Sequence, residues 1–411
     1  MIAFDKFTLD NGLKVIVHQD KTTPVVTVNI LYNVGAKDET KDLTGFAHLF
    51  EHLMFGGSVN IPKYDEPLQK VGGENNAFTN NDITNYYLSI PKENIETAFW
   101  IESDRMLNLA FSEKSLEVQR NVVIEEFNQR YLNQPYGDLW LLLRPLVFRK
   151  HPYQWATIGK DISHIENAKM EDVKAFYKKY YNPDNAIMVV AGDVELEEIK
   201  QLSEKWFGPI ERGSAFERSI PMEPKQTEPR FLQVERDVPV NAIFKVYHMC
   251  GRSEADYHTT DLISDIMANG KSSRLHQKLV KENPLFSSVQ SFISGDIHPG
   301  MIVFAAYLSE GVSPNEANDA LCNEIENLCH GGIKEDELQK VKNKVESVLT
   351  FSDINTLDRA MNLAYYELLG NAEKINLELE KYQYVKTSDI QRVANSLFIK
   401  DNSTTLFYLK K

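Results

Sequence analysis

The segment TGFAHLFEHLMFGG, from Thr44 to Gly57, combines a helical pattern of apolar residues with three polar side chains. At 100° per residue, His48, Glu51 and His52 fall within about 100° of one another on a helical wheel. The threonine at its beginning and the two glycines at its end are typical of helix boundaries. The sequence therefore predicts a short amphipathic helix whose polar face lies opposite the apolar residues Phe46, Leu49, Phe50, Leu53 and Met54.

These three polar residues are suited to holding a metal ion. Two histidines four residues apart on a helix can each direct a ring nitrogen at one zinc ion, and a carboxylate between them can take a proton from a zinc-bound water. The order His-x-x-Glu-His is the inverse of the zinc-peptidase motif His-Glu-x-x-His. Catalytic zinc needs a third protein ligand, for which Glu125 and Glu126 are both candidates. The alternative interpretation is two surface histidines and an acid that share a helix by chance.

The composition is that of a globular protein with more than one domain. The chain has 411 residues, of which 42% are hydrophobic and 25% are charged. Its net charge of −14 argues against nucleic-acid binding, which requires a basic surface. The three cysteines, Cys250, Cys322 and Cys329, are too scattered for a disulfide framework or a thiolate zinc site.

Targeting signals give little positive information. The N-terminus lacks the features of a signal peptide, and no apolar run approaches the roughly 18 residues of a membrane span. We therefore expect a soluble protein without a membrane span. A cytoplasmic location is favoured for the sequence as given, and a periplasmic one if a signal peptide has been removed from a precursor.

The first half of the chain alternates between predicted strands and predicted helices. Segments rich in β-branched residues and bounded by turn residues predict strands, and apolar residues at helical spacing predict helices. The predicted strands are 13–20, 25–35, a pair within 75–90, and 185–194, and the predicted helices outside the opening segment are 92–110, 113–133 and 196–206.

A linker and a repeat divide the chain. Residues 208–230 contain four prolines and little periodicity, which predicts an interdomain linker. After it the order of elements starts again, since VNILYNVGAKDET resembles IFKVYHMCGRSEA and both precede a predicted helix. We therefore predict two copies of one α+β unit of about 200 residues, each a mostly antiparallel sheet covered by helices. The predicted domains are 1–207 with the metal motif, the linker 208–230, and 231–411 without it.

Five motifs of the first half occur together and in a recognisable order. They are GFAHLFEHLMFGG, GGENNAFTNNDITNYY, RNVVIEEF, HPYQWATIG and YYNPDNAIMVVAGDV. This set resembles the pitrilysin superfamily, which includes insulin-degrading enzyme and the mitochondrial processing peptidase. The resemblance implies two α/β-roll domains and one zinc ion per chain. It also implies that Glu126, rather than Glu125, is the third ligand beside His48 and His52. Where Gln119 stands, seven residues earlier, the family often has an acid that supports the site.

The resemblance also implies where a peptide substrate binds. The segment GGENNAFTNNDITNYY resembles the active-site edge strand of the family, to which an extended peptide can add through backbone hydrogen bonds. The positions carried over are Asn76, Ala77, Phe78 and Thr79, with Asn76 facing the scissile region and Ala77 and Phe78 offering backbone pairing. The alternative is an ordinary hairpin with an asparagine-rich turn.

The second half lacks a pair of residues that the family uses. The family takes an arginine and a tyrosine, seven residues apart, from its zinc-free half, and the tyrosine stabilises the oxyanion of the intermediate. In the corresponding segment, 275–289, the two positions hold Val280 and Ser287. Small family members work as pairs of chains of about this length that form a closed chamber. We therefore expect a heterodimer with a paralogous chain that supplies the arginine and tyrosine, and a homodimer as second choice.

The leading functional hypothesis is a zinc-dependent endopeptidase that cleaves peptides or unfolded segments in a closed chamber. In this hypothesis the zinc-bound water is the nucleophile and Glu51 is the general base. The alternative is a non-catalytic structural or binding subunit of a related assembly. A metal-dependent hydrolase of non-peptide substrates is disfavoured by the peptide-binding strand.

Overall fold

The computed structural model describes all 411 residues, which pack as two compact units. Each unit is built from three stretches of the chain. Unit 1 comprises Met1–Asn128, Trp155–Ile220 and Thr350–Leu377, and unit 2 comprises Gln129–Gln154, Pro221–Leu349 and Glu378–Lys411. No helix is both long enough and apolar enough to cross a membrane.

Eleven strands form two sheets, one in each unit. In chain order the strands are β1 (Asp5–Thr8), β2 (Lys14–Gln19), β3 (Val25–Tyr32), β4 (Glu74–Thr79), β5 (Thr84–Pro91), β6 (Ala186–Gly192), β7 (Arg230–Arg236), β8 (Ala242–His248), β9 (Phe286–Ile293), β10 (Met301–Leu308) and β11 (Ser403–Lys410).

Fourteen α-helices cover these sheets or connect their strands. In chain order they are α1 (Phe46–Leu53), α2 (Asp65–Lys70), α3 (Ile95–Leu107), α4 (Glu113–Phe127), α5 (Leu139–Val147), α6 (Ser163–Glu166), α7 (Met170–Tyr180), α8 (Leu196–Trp206), α9 (Tyr257–Ala268), α10 (Pro314–Gly331), α11 (Glu335–Ser352), α12 (Thr356–Leu368), α13 (Glu378–Tyr384) and α14 (Thr387–Leu397).

The two sheets share one topology. The sheet of unit 1 has the order β1-β2-β6-β3-β5-β4, and that of unit 2 has the order β7-β11-β8-β10-β9. Leaving β1 aside, each sheet begins with one parallel pair, β2 with β6 or β7 with β11, and continues with antiparallel pairs. The predicted mostly antiparallel α+β fold is therefore confirmed. The equal strand order also supports the repeat, with α1 after β3 matching α9 after β8.

The compact units differ from the continuous domains drawn from the sequence in two places. Helix α5 lies before the predicted linker but belongs to unit 2, where Leu143 joins the core around Phe244 and Leu406. Helix α12 lies after the linker but belongs to unit 1, where Leu363 packs with Leu31 of the sheet. Each helix carries an apolar face that it buries on the sheet of the other half. Sequence order alone gives no sign of such an exchange.

The individual elements follow the sequence patterns closely. All of the strands and helices predicted in the first half are present, and their bounds differ by a few residues at most ends. The segment predicted as a helix over 113–133 is α-helical only as far as Phe127. A π-helical turn over Asn128–Leu132 follows it. Between α8 and β7 the chain has no regular secondary structure, as expected for residues 208–230.

Candidate metal centre

Helix α1 is fixed at its start by a close backbone approach and along its length by apolar packing. Gly45 precedes the helix with φ +85°, and a Cβ there would lie 2.5 Å from the carbonyl oxygen of Ile158. The apolar face is buried, and the ring of Phe50 lies 4.5 Å from that of Tyr181. Because this face is held inside unit 1, the opposite face of His48, Glu51 and His52 is oriented as a rigid group.

Glu39 caps α1, a role that the sequence pattern assigned to Thr44. Its two carboxylate oxygens accept hydrogen bonds from the backbone N–H groups of Gly45 and Ala47, at 2.9 and 2.8 Å. The hydroxyl of Thr44 instead accepts a hydrogen bond from the backbone N–H of Lys160. Burial raises the pKa of Glu39 to about 8, although these N–H groups favour its ionised form. Sequence reasoning missed Glu39 because it lies seven residues before the helix and no local motif connects the two.

The structure brings His48, His52 and Glu126 together. The Nε2 atoms of the two histidines lie 3.5 and 3.4 Å from Oε2 of Glu126, and one ligand atom from each residue falls within 4.8 Å of the other two. Glu126 reaches this position because α4 packs beside α1. The three side chains are 13–24% exposed, so the cluster is recessed but open to solvent. It is the one group of histidine, cysteine and acidic residues in the chain with the spacing of a metal site.

Two of the three separations between ligand atoms fit a tetrahedral zinc site. Two ligand atoms that each lie about 2.0–2.1 Å from zinc at the tetrahedral angle are about 3.3–3.4 Å apart. The two histidine-to-carboxylate distances match this separation, and two nitrogens with one oxygen leave a fourth position open, as in catalytic zinc sites. Glu125 is exposed, whereas Glu126 faces α1. The geometry therefore selects Glu126 from the two adjacent acids.

Glu51 lies on the same helix, one turn from His48, and is half-buried. Its charge is felt by two buried tyrosines, Tyr86 and Tyr181, whose pKa values are raised first by burial and further by the nearby carboxylate. Glu51 therefore lies near these buried tyrosines and is not a freely solvated surface acid. Gln119 is half-buried on α4, two helical turns before Glu126, which places it on the same side of the helix.

The predicted substrate strand is an edge strand beside α1. Strand β4 pairs only with β5 and contacts α1, so its other edge is open. Exposed and half-buried residues alternate along it, with Asn76 and the 38% exposed Phe78 on the more open face and Ala77 and Thr79 on the other. The N–H of Ala77 donates to Oδ1 of Asn76, at 2.8 Å, so it points away from β5. The N–H of Ala77 therefore lies at the open edge of the sheet, where only the Asn76 side chain separates it from an added strand.

The positions expected for the arginine and tyrosine lie in unit 2. Val280 packs against the hydrophobic core of that unit, and the hydroxyl of Ser287 donates to the carbonyl oxygen of Tyr307, at 3.1 Å. Neither side chain carries a charge or a phenol. Both residues serve the packing and backbone of unit 2 itself.

Comparison with known proteins agrees with this fold. Residues 14–140 match the family model described as insulinase (peptidase family M16), and residues 167–345 match the peptidase M16 inactive domain. The zinc protease PqqE of Helicobacter pylori is 32% identical over 415 residues, which cover 98% of this chain and 92% of that protein. The chain therefore belongs to peptidase family M16, the pitrilysin family, which confirms the resemblance found in the sequence. A Bacillus subtilis relative, YmxG, is also named a zinc protease and is 24% identical over 98% of this chain and 97% of its own length.

Solved structures share the whole fold. A protease from Helicobacter pylori has a TM-score of 0.92 at 29% identity and covers 99% of this chain and 100% of its own. A peptidase M16 inactive domain from Pseudomonas fluorescens has a TM-score of 0.89 at 16% identity, with 100% and 98% coverage. Pitrilysin has a TM-score of 0.79 at 17% identity, and the match covers 99% of this chain but 45% of pitrilysin. The last two show a common fold.

Proposed function

We propose that this chain is a zinc-dependent endopeptidase whose metal is held by His48, His52 and Glu126. The observation that carries the proposal is the spacing of these three residues, in a chain whose relatives are named zinc proteases. A zinc ion in this site would supply a Lewis acid that polarises a peptide carbonyl and acidifies water. Glu51, on the same helix face, takes the proton from the attacking water and passes it to the leaving amine.

Substrate is held by backbone pairing with β4. The outward N–H of Ala77 gives an extended peptide a hydrogen-bond donor at the open edge, once the Asn76 side chain moves aside. Recognition through backbone atoms tolerates many side chains, which suits peptides and unfolded segments. We further propose that cleavage takes place in a closed chamber that this chain forms with a second one.

The second chain is proposed to be a paralogue that supplies an arginine and a tyrosine. The proposal rests on Val280 and Ser287, which cannot clamp a substrate or stabilise an oxyanion. A homodimer is the second choice. Light scattering of the purified chain, with peptidase assays before and after mixing with the paralogue, separates the two. Activity only in the mixture supports the heterodimer, and full activity of the purified chain alone contradicts it.

A non-catalytic subunit is the alternative function. It is favoured by the inactive-domain match over residues 167–345 and by the absence of the arginine and tyrosine. Under this alternative the chain binds zinc but does not cleave peptides, even with its partner. The decisive comparison is therefore between zinc content and turnover.

The test is cleavage of a fluorogenic peptide by Glu51→Gln. We expect a loss of about 10²–10⁴-fold in kcat with unchanged zinc content, because the amide cannot accept the proton. Asp265→Asn is the matched control. Asp265 lies on α9 five residues before Gly270, just as Glu51 lies on α1 five residues before Gly56. Equal cleavage by Glu51→Gln and the wild type overturns the proposal. Stoichiometric zinc without Glu51-dependent cleavage, in the presence of the partner, selects the alternative.

A further inference from the structure

Unit 2 contains a cavity of about 380 Å³ on the face of its sheet that α10 covers. Strands β7, β8 and β11 form its floor, and α10 together with the loop before β11 forms its wall. The volume lies within the range of small-molecule sites, which is roughly 300–1,000 Å³. It lies wholly in the unit without a metal cluster, so peptide hydrolysis does not account for it.

The cavity contains a lysine on a central strand. Lys245 of β8 stands in a cross-strand row between Thr405 of β11 and Phe304 of β10, and it is 6% exposed. Lysine is almost never buried in such a position without a charged partner. Its Nζ donates to Oγ1 of Thr405 at 3.1 Å and to Oδ1 of Asn318 at 3.4 Å, and no carboxylate lies within ion-pair distance. An ammonium has three N–H donors, so one remains for a ligand.

The other charges of the cavity reinforce this excess of positive charge. The exposed Lys400 also lines it and forms no ion pair. Arg230 also borders the cavity, but its guanidinium lies on the other face of the sheet, where Nη1 donates to the carbonyl oxygen of Leu146 at 2.9 Å. Two cations, Lys245 and Lys400, therefore face a single acid, Glu326, in a chain whose net charge is −14. Such a local reversal of sign favours an anionic ligand.

The remaining walls are apolar. The ring of Phe398 packs 4.9 Å from that of Tyr247, and Ile325 and Cys322 of α10 continue this surface. Phe231 on the edge strand β7 is 58% exposed at the rim. A ligand that fills the cavity therefore needs an apolar body as well as a charged head.

We propose that this cavity binds a small amphiphilic carboxylate, with the carboxylate on Lys245 and the apolar body between Phe398 and Ile325. Two sources offer this chemistry: a free organic acid with a short hydrocarbon chain, and the C-terminal residue of a short peptide. Thr405 fixes the lysine, and Lys400 adds attraction from the rim. The proposal does not depend on peptidase activity.

The cavity contains its own reporter, the thiol of Cys322. A bound ligand covers this thiol, so the rate of its alkylation by N-ethylmaleimide, followed by peptide mass spectrometry of the full chain, should fall. Cys250 is also partly exposed but does not line the cavity, and its rate should stay unchanged. The probes are octanoate for the free acid and N-acetyl-Leu-Phe for the peptide terminus. Octanol and the amide of the same dipeptide are neutral controls.

We expect at least one of the two carboxylates to protect Cys322 and to bind in calorimetry, and the one that does identifies the source. Lys245→Met should weaken that binding by at least about tenfold, because a charge-assisted hydrogen bond is lost. Lys334→Met, at an exposed lysine of the same unit, should have no effect. Should Lys245→Met fail to fold, Lys400→Gln at the rim tests the same charge with a smaller expected loss.

Any one of four results would overturn the proposal, and the first three concern specificity. They are equal protection by the neutral analogues, equal binding by inorganic phosphate, and unchanged affinity in the folded lysine variant. Failure of both carboxylates to protect Cys322 at millimolar concentration would overturn it as well.

Discussion

Helices α1 and α9 follow equivalent strands in two sheets of the same order, and their corresponding positions hold opposite kinds of residue. When the helices are aligned on Gly56 and Gly270, His48 and His52 correspond to Leu262 and Ile266. Those two side chains are fully buried, whereas the two histidines are partly exposed. The same helix position therefore serves a metal cluster in one half and core packing in the other.

A buried glutamate near each helix shows the same contrast. Glu39 accepts only neutral donors at the start of α1, and burial raises its pKa to about 8. Burial alone would also raise the pKa of Glu378, but a hydrogen bond from His258 of α9 and the charge of Arg252 lower it to about 2. The buried acid of unit 1 thus has a pKa close to neutral pH, whereas the buried acid of unit 2 is ionised within an ion-pair network.

Exchanging the charge of Glu126 for an amide has the largest expected effect. Glu126→Gln should weaken zinc binding by about 100-fold or more, because an anionic ligand is lost from a site of three. Glu125→Gln, the exposed neighbour, is the matched control and should bind zinc as the wild type does. Competition with a chelator measures both affinities. If Glu125→Gln loses zinc affinity and Glu126→Gln does not, the third ligand is Glu125 and the geometric assignment of Glu126 is wrong.

Removing the charge of Glu378 should destabilise unit 2 by about 3 kcal/mol without affecting zinc binding, because Arg252 is left buried without its partner. A carboxyl with a lowered pKa stabilises the fold above its unfolded value and loses that contribution as pH falls toward 2. The wild type should therefore lose more stability than Glu378→Gln on acidification from pH 6 to pH 4. Hydrogen exchange of α9 peptides in EDTA measures the difference. Equal acid sensitivity of the two proteins would refute this account.

Glu39→Gln should produce the opposite pH dependence in unit 1. At pH 6 we expect a loss of about 1–2 kcal/mol, because one amide oxygen cannot accept both N–H groups of α1. A carboxyl with a raised pKa binds its proton more tightly when folded, so wild-type stability falls as pH rises through about 8. The gap between wild type and variant should therefore narrow at pH 9. Urea unfolding in EDTA tests this, and a gap that widens with pH would contradict it.

The smallest expected effect concerns β4. In our proposal this edge strand binds substrate, and the half without the metal cluster contributes no such strand. Ala77→Pro removes an N–H that points to the open edge, so the strand should form normally while KM rises about tenfold. Phe78→Pro is the informative control. Successive backbone N–H groups along a strand point to opposite edges, so the N–H of Phe78 faces β5. That variant should lose stability. An unchanged KM in a folded Ala77→Pro variant would exclude backbone pairing at this position.

Much of the first half was predictable because its information is local. Helical spacing places His48, Glu51 and His52 on one face wherever the helix lies, and β-branched runs between turn residues give β2, β3 and β6. The five ordered motifs indicated the family, and with it the two α/β-roll domains. The exchange of α5 and α12 between units could not be read in this way, because it depends on which sheet leaves an apolar face uncovered.

The sequence by itself determined the candidate metal-binding face of α1, the α+β class and the repeat. The first two rest on the period of helices and strands, and the repeat rests on the recurring order of elements. Only the tertiary structure decided that Glu126 approaches both histidines, that Glu39 caps α1, and that Lys245 enters a cavity without an acidic partner. These features join residues far apart in the chain. Their positions follow from the packing of whole helices and strands, which no local pattern encodes.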